Sequence, residues 1–281
     1  MGTYMMYYSS LGHFDWLSKT KKRRVLTLRE LGEVLWKLLS HIHLCSIVLS
    51  VALHFNYQPF ASNIILAQFS VSWDIFSPAH LGNAYLLALL TYFVIAFAFE
   101  MACFGGNLNG FYTKPVFDNP MLGSSSPPEF WGRRWNLVIH RTLKQGIYLP
   151  AKQFFPTYVA ASLAFLFSGL LHDYAWTLMF YKHDDMLDEN GVCSGQHGCH
   201  TPIVFKVTTF FLWNAGVMIL ERRLGDSFSV CAKWPTFVVS TLVVLTALPV
   251  SHWFTGDWAR GGYFDELSIG LWCVRQIYHT G

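Results

Sequence analysis

Five apolar stretches dominate this sequence, near residues 35–55, 81–104, 156–181, 203–220 and 235–253. Each runs for roughly 20 residues, the length an α-helix needs to cross hydrocarbon. In lipid every backbone N–H and C=O must find its partner inside the protein, so such stretches fold as helices. The expected fold is therefore all-α and polytopic, with about five transmembrane helices. Only 13% of the 281 residues are charged, against about a quarter in a soluble domain. A net charge of +3 gives no electrostatic footprint for nucleic acid. The first stretch is the most polar, because it holds Lys37, His41, His43 and His54. Residues 64–76 are apolar but short, which suits an interfacial or re-entrant segment.

Basic residues alternate between the connecting loops. Lys19, Lys21, Lys22, Arg23, Arg24 and Arg29 precede the first stretch. Lys114, Arg133, Arg134, Arg141, Lys144 and Lys152 lie between the second and third, and Arg222, Arg223 and Lys233 between the fourth and fifth. The intervening loops are nearly free of them. Positive charge stays on the cytosolic side, so the N-terminus is expected in the cytosol. No basic-then-apolar signal pattern opens the chain, so the first apolar stretch is expected to act as the insertion signal. The division that follows is a cytosolic basic segment at 1–34, one membrane domain at 35–265 and a tail at 266–281.

The loop after the second stretch carries an aromatic, basic motif. Ser126-Pro127-Pro128-Glu129 has the form of a capping box with proline at the first helical position. Gly146 is a plausible stop. A helix over 126–144 would place Trp131, Trp135, Val138, Ile139 and Leu143 on one face and Arg133, Arg134, His140, Arg141 and Lys144 on the other. Such a helix lies in the interface with its Trp rings at headgroup level. Asn136 falls at the edge of the apolar face, where a buried amide needs partners.

The third stretch contains His172-Asp173, an ionisable pair at membrane depth and hence a candidate functional site. Neighbouring helical residues point about 100° apart, so Asp173 is not expected to orient His172. Ser168 and Trp176 share the face of His172, and an orienting group is expected from another element. Gly169 permits close approach of a neighbouring backbone or a ligand. Imidazole titrates near neutrality and suits proton abstraction. A histidine that merely fixes helix packing is the competing reading.

Several weaker signals remain open. Cys193, His197, Cys199 and His200 have metal-ligating types but no standard zinc spacing. A Cys193–Cys199 disulfide and two free thiols stand beside that reading, and no metal ligand set is assigned. Glu100 either snorkels or pairs with a basic residue.

Phe130-Trp131-Gly132-Arg133-Arg134-Trp135-Asn136, followed by Ser168-Gly169-Leu170-Leu171-His172, resembles the wax synthase-like branch of the membrane-bound O-acyltransferases. Leu248-Pro249-Val250-Ser251-His252-Trp253-Phe254 is also similar to that branch, and the resemblance covers roughly residues 25–265. It implies an all-helical enzyme of the endoplasmic reticulum membrane, with the lipid bilayer, acyl-CoA and a lipophilic alcohol as its partners. The implied reaction moves an acyl group from coenzyme A to a hydroxyl, with acyl-CoA or acetyl-CoA as co-substrate and no bound cofactor. Carried over, the catalytic residues are His172 and Asn136, with Asp173, Ser168 and Trp135 in support. Arg133 and Arg134 would meet either the phosphates of coenzyme A or lipid headgroups. Long-chain alcohols and acetylated terpenoid-type products both remain open as the ester formed. Members of the branch are usually longer at the N-terminus, so this chain is expected to be N-terminally short. The alternatives are a truncated, inactive relative and a non-enzymatic transporter or scaffold, although the inverted repeats of a transporter are not seen.

Overall fold

The computed structural model describes residues 27–60, 73–108, 115–180, 201–224, 233–268 and 271–272. The basic run 19–24, Lys114, the loop with Cys193 and Cys199, Cys231 and Cys273 lie outside the described residues, as does most of the expected tail. The regular structure described is entirely helical. The long helices are α1 (Leu28–His54), α2 (Pro78–Leu108), α4 (Thr157–Met179) and α5 (Lys206–Leu224). Shorter ones are α3 (Leu137–Leu143), α6 (Thr236–Leu245), α7 (His252–Arg260) and α8 (Tyr263–Leu267).

Among the described residues, α1 and α2 are long and apolar enough to cross a membrane, and α6 with 248–260 would make a third span bent by 42°. The chain is thus an integral membrane protein, with two or three candidate spans among the described residues beside the about five expected. The stretches at 156–181 and 203–220 do fold as helices of 23 and 19 residues. They carry His172, Asp173, Lys206, Asn214 and Glu221, polar groups that interrupt their apolar runs.

Local chemistry sets the helix ends. Thr27 and Glu30 form a reciprocal capping box, with Glu30 N–H donating to the Thr27 hydroxyl at 3.3 Å and Thr27 N–H donating to the Glu30 carboxylate at 3.0 Å. The polar residues of α1 find a partner across the bundle. Glu100 of α2 sits 2.5 Å from Lys37 Nζ and 2.5 Å from His41 Nδ1, so Glu100 pairs rather than snorkels. Pro249 lies at the bend between α6 and α7, where proline removes a helical donor. His80 Nε2–H, fully buried on α2, donates to the Pro249 carbonyl at 3.1 Å and holds the bend against α2. Pro156 does not kink a helix; it is the N-cap of α4.

The α4–α5 pair has the most extensive helix contact in the molecule. Gly169 makes it possible, because a Cβ there would stand 2.5 Å from Thr208 Cα. Asp173 locks it, accepting from Val207 N–H at 3.2 Å, from Thr208 N–H at 3.1 Å and from the Thr208 hydroxyl. The carboxylate thus caps the first turn of a neighbouring helix.

Candidate active site

His172 projects from α4 into an aromatic cradle. Its ring lies 4.8 Å from that of Phe211 on α5, 5.5 Å from Phe254 on α7 and 5.6 Å from Trp176, centroid to centroid. Nδ1 is 2.7 Å from the Ser168 carbonyl oxygen. A carbonyl only accepts, so Nδ1 carries the proton and Nε2 of the neutral ring keeps a lone pair. The orienting group therefore belongs to the same helix, one turn back, which corrects the expectation of a partner from another element. A carbonyl at i−4 lies within reach of a short polar side chain, as in serine and threonine back-bonding. Ser168 supports His172 through its backbone and not through its hydroxyl. Asp173 turns away from His172 and serves α5, so its support is indirect.

The motif 130–136 folds differently from the single helix expected over 126–144. Ser126 does start a helix, accepting from Glu129 N–H at 3.3 Å. After Pro127–Glu129 the chain widens into a π-helical turn over Phe130–Arg134 and then breaks. Trp135 is extended at ψ 125°, and Asn136 is left-handed at φ 38°, ψ 67°. The break is held from outside. Leu137 N–H donates to the Val116 carbonyl at 2.8 Å, and Asp118 N–H donates to the Arg134 carbonyl at 3.0 Å. Asparagine tolerates the left-handed region better than other side chains, and its amide can bond its own backbone two or three residues on. Asn136 Oδ1 accepts from Ile139 N–H at 3.3 Å and caps α3. With Oδ1 so engaged, the amide has only its NH2 group to offer as a donor. Gly146 does not end the segment, since it sits inside a second π-turn over Lys144–Tyr148.

The break also turns the two tryptophans inward instead of along the interface. Trp135 stacks on Phe130 at 5.4 Å and 18°, and Trp131 packs edge-on against Phe165 at 6.0 Å and Phe210 at 6.3 Å. The two arginines then part. Arg134 Nε donates to Glu129 at 2.9 Å, and its Nη1 donates to the Asp118 carbonyl at 3.0 Å, which ties the turn to 118. Arg133 instead faces a cavity.

That cavity, of about 680 Å³, is the centre of the site. It is lined by His172, Asn136, Ser168, Trp135 and Arg133, which brings residues far apart in sequence together. Arg134 and Asp173 are not among its walls. Its size falls within the range of small-molecule sites, roughly 300–1,000 Å³. His140, Lys144, Glu221 and Arg222 also line it, and sequence reading did not assign them to it. The cue for His140 was its place one turn after Asn136, whose carbonyl accepts from His140 N–H at 3.0 Å. His140 is held below the ordinary histidine value, first by burial and then by the nearby Lys144 and Arg141. Phe254 and Phe211 are further walls. Among the described residues, no three His, Cys, Asp or Glu side chains gather as a metal site.

A second polar group escaped sequence reading. Lys206, 1% exposed at the start of α5, pairs with Asp257 of α7, 0% exposed, and Arg260 Nη2 lies 2.8 Å from the same carboxylate. This cluster sits behind the aromatic cradle. Charged side chains this deeply buried are rare and are found paired.

Comparison with known proteins supports the resemblance. Residues 113–188, which include both motifs, match the family described as "Membrane bound O-acyl transferase family". Probable long-chain-alcohol O-fatty-acyltransferase 1 of Arabidopsis thaliana is 28% identical over 162 residues, 54% of this chain and 39% of its own. Probable long-chain-alcohol O-fatty-acyltransferase 3 of the same plant is 29% identical over 178 residues, 59% of this chain and 46% of its own. Acyl-CoA–sterol O-acyltransferase 1, also from Arabidopsis thaliana, is 37% identical over 147 residues, 50% of this chain and 37% of its own. The chain thus resembles the wax synthase-like branch of the membrane-bound O-acyltransferases, and it matches less than half the length of each of these relatives.

Proposed function

We propose that this chain transfers an acyl group from acyl-coenzyme A to the hydroxyl of a lipophilic alcohol, giving an ester and free coenzyme A. The observation that carries this reading is that His172 and Asn136 line one cavity with complementary chemistry. His172 offers a basic Nε2, and Asn136 offers an amide NH2.

In the proposed mechanism the acceptor hydroxyl gives its proton to His172 Nε2 as its oxygen attacks the thioester carbonyl. The Nδ1–H bond to the Ser168 carbonyl persists through this step and steadies the imidazolium. Negative charge gathers on the former carbonyl oxygen, where the Asn136 amide donates a hydrogen bond. One such donor is worth about 3 kcal/mol in a water-poor site. Collapse of the tetrahedral species breaks the C–S bond, and the leaving sulfur takes the proton from His172 Nε2, giving the coenzyme A thiol and restoring the neutral imidazole. No covalent acyl-enzyme is needed. Arg133, Lys144 and Arg222 on the cavity wall suit the phosphates of coenzyme A. Exclusion of water by the bound substrates would protect the thioester from hydrolysis.

The named relatives act on long-chain alcohols or sterols, and both acceptor classes are carried here as candidates. Residence in the endoplasmic reticulum with a cytosolic N-terminus belongs to the same proposal. The test is acyl transfer in membranes expressing the chain, with labelled acetyl- and palmitoyl-CoA and a panel of fatty, sterol and terpenoid alcohols. Ester formed by the parent and lost in His172→Ala supports the reading. Equal ester from both removes His172 from the mechanism.

A further inference from the structure

The cavity has a direction. Thr157, Tyr158, Ala161, Ala164, Phe165 and Ser168 line it on the α4 side, followed by His172. At about 1.5 Å per residue, this wall runs roughly 22 Å from the start of α4 to His172. Arg133, Lys144 and Arg222 also line the cavity. On the acyl-CoA reading, a donor anchored there by its phosphates would extend along α4 and present its thioester at His172. Its acyl chain would then point beyond His172.

In that direction the rings of Phe254, Trp176 and Trp258 pack on one another. Two lining rings flank His172, Phe211 of α5 at 4.8 Å and Phe254 of α7 at 5.5 Å, and of these Phe254 is the one that packs on Trp176. Behind it Trp176 packs at 5.0 Å, and Trp258 packs on Trp176 at 5.2 Å. Trp176 is 4% exposed and lies on the α4 face one turn past His172, yet it is not a wall of the cavity. Phe254 therefore stands between the cavity and this indole pair. The cavity continues sideways instead, between α2 and α6, along Ala88, Thr91, Ile95, Val243 and Ala247.

We propose that Phe254 is the floor of the chamber and a specificity-determining residue for the length of the acyl group. The inference rests on the acyl-CoA reading. A short acyl group fits between His172 and Phe254, whereas a long one must turn at Phe254 into the α2–α6 branch. Removing the ring opens a straight path toward Trp176 and Trp258. Enlarging it narrows the turn.

The test measures binding and turnover separately. The parent and the variants Phe254→Ala, Phe254→Leu and Phe254→Trp are purified into nanodiscs. Non-reactive S-alkyl-CoA thioethers with 2, 8 and 16 carbons are titrated against each, and acyl transfer is followed with acetyl- and palmitoyl-CoA. The long-to-short ratio should rise about tenfold in Phe254→Ala, rise less in Phe254→Leu and fall in Phe254→Trp, in line with the discrimination a few methylenes give in an apolar pocket. An unchanged ratio in variants that still bind the thioethers overturns the floor assignment and leaves the acyl-CoA reading intact. Absence of thioether binding to the parent at every length overturns the acyl-CoA reading, and the role of the floor with it.

Discussion

Replacing Asn136 removes two things at once, a cap on α3 and a candidate oxyanion donor, and suitable substitutions separate them. Aspartate is an equally good N-cap acceptor and tolerates the left-handed region, but it has no amide NH2. Asn136→Asp should unfold within a few degrees of the parent yet lose roughly 10²- to 10³-fold in acyl transfer. Asn136→Ala should show a similar loss of activity and also cost about 1 kcal/mol of stability from the lost cap. Thermal unfolding in detergent, run beside the ester assay, distinguishes the two. His172 is more separable, since its Nδ1 bonds to a carbonyl of its own helix. His140 makes a pH prediction. Its folded value lies below the unfolded one, so the unfolded chain takes up the proton first as pH falls. The stability is fully present above about pH 6.5 and is lost as pH drops from there through the depressed folded value. His140→Gln should flatten that part of a melting-temperature profile between pH 7.5 and 5.5.

At the scale of elements, the site depends on how closely α4 and α5 approach. A side chain at Gly169 would strike Thr208 backbone, not a movable side-chain tip. Gly169→Leu should therefore push the helices apart and destabilise by about 1–3 kcal/mol, by the usual cost of overpacking. It should also loosen Phe211 from His172, so activity should fall more than the stability change alone implies. The α4 half of this arrangement was legible in sequence, because Gly169, His172 and Asp173 form one local run whose helical geometry fixes their directions. Asp173 could be excluded as a dyad partner on that basis. What it does bind was not legible, because Thr208 lies 35 residues away. The break at Trp135–Asn136 was hidden for the same reason. The local pattern fits an amphipathic helix, and the backbone bonds to residues 116 and 118 that override it come from an earlier turn. Arg133 and Arg134 look equivalent on a wheel and are separated only by that break.

Across the whole molecule, charge is divided between two places with opposite functions. Arg133, Lys144 and Arg222 line the cavity, while Lys206 and Arg260 are buried around Asp257 behind the cradle. Arg133→Ala should raise the KM for acyl-CoA without changing the melting temperature, and added salt should weaken donor binding in the parent. Arg134→Ala should do the reverse, leaving KM near the parent value and lowering stability by about 1–3 kcal/mol through the loss of Glu129 and Asp118. All five apolar stretches fold as helices, but hydropathy does not tell a helix that faces lipid from one whose polar residues face a shared interior. The Lys206–Asp257 pair also bears on how the chain is assembled. Asp257 follows Lys206 by 51 positions, so the ribosome delivers a cation to the interior of the bundle well before its counter-charge. Until α7 arrives, burial of the start of α5 must either neutralise the Lys206 amine or leave it without a counter-charge. The α4–α5 pair, though complete in sequence, should therefore gain its full stability only once α7 is in place.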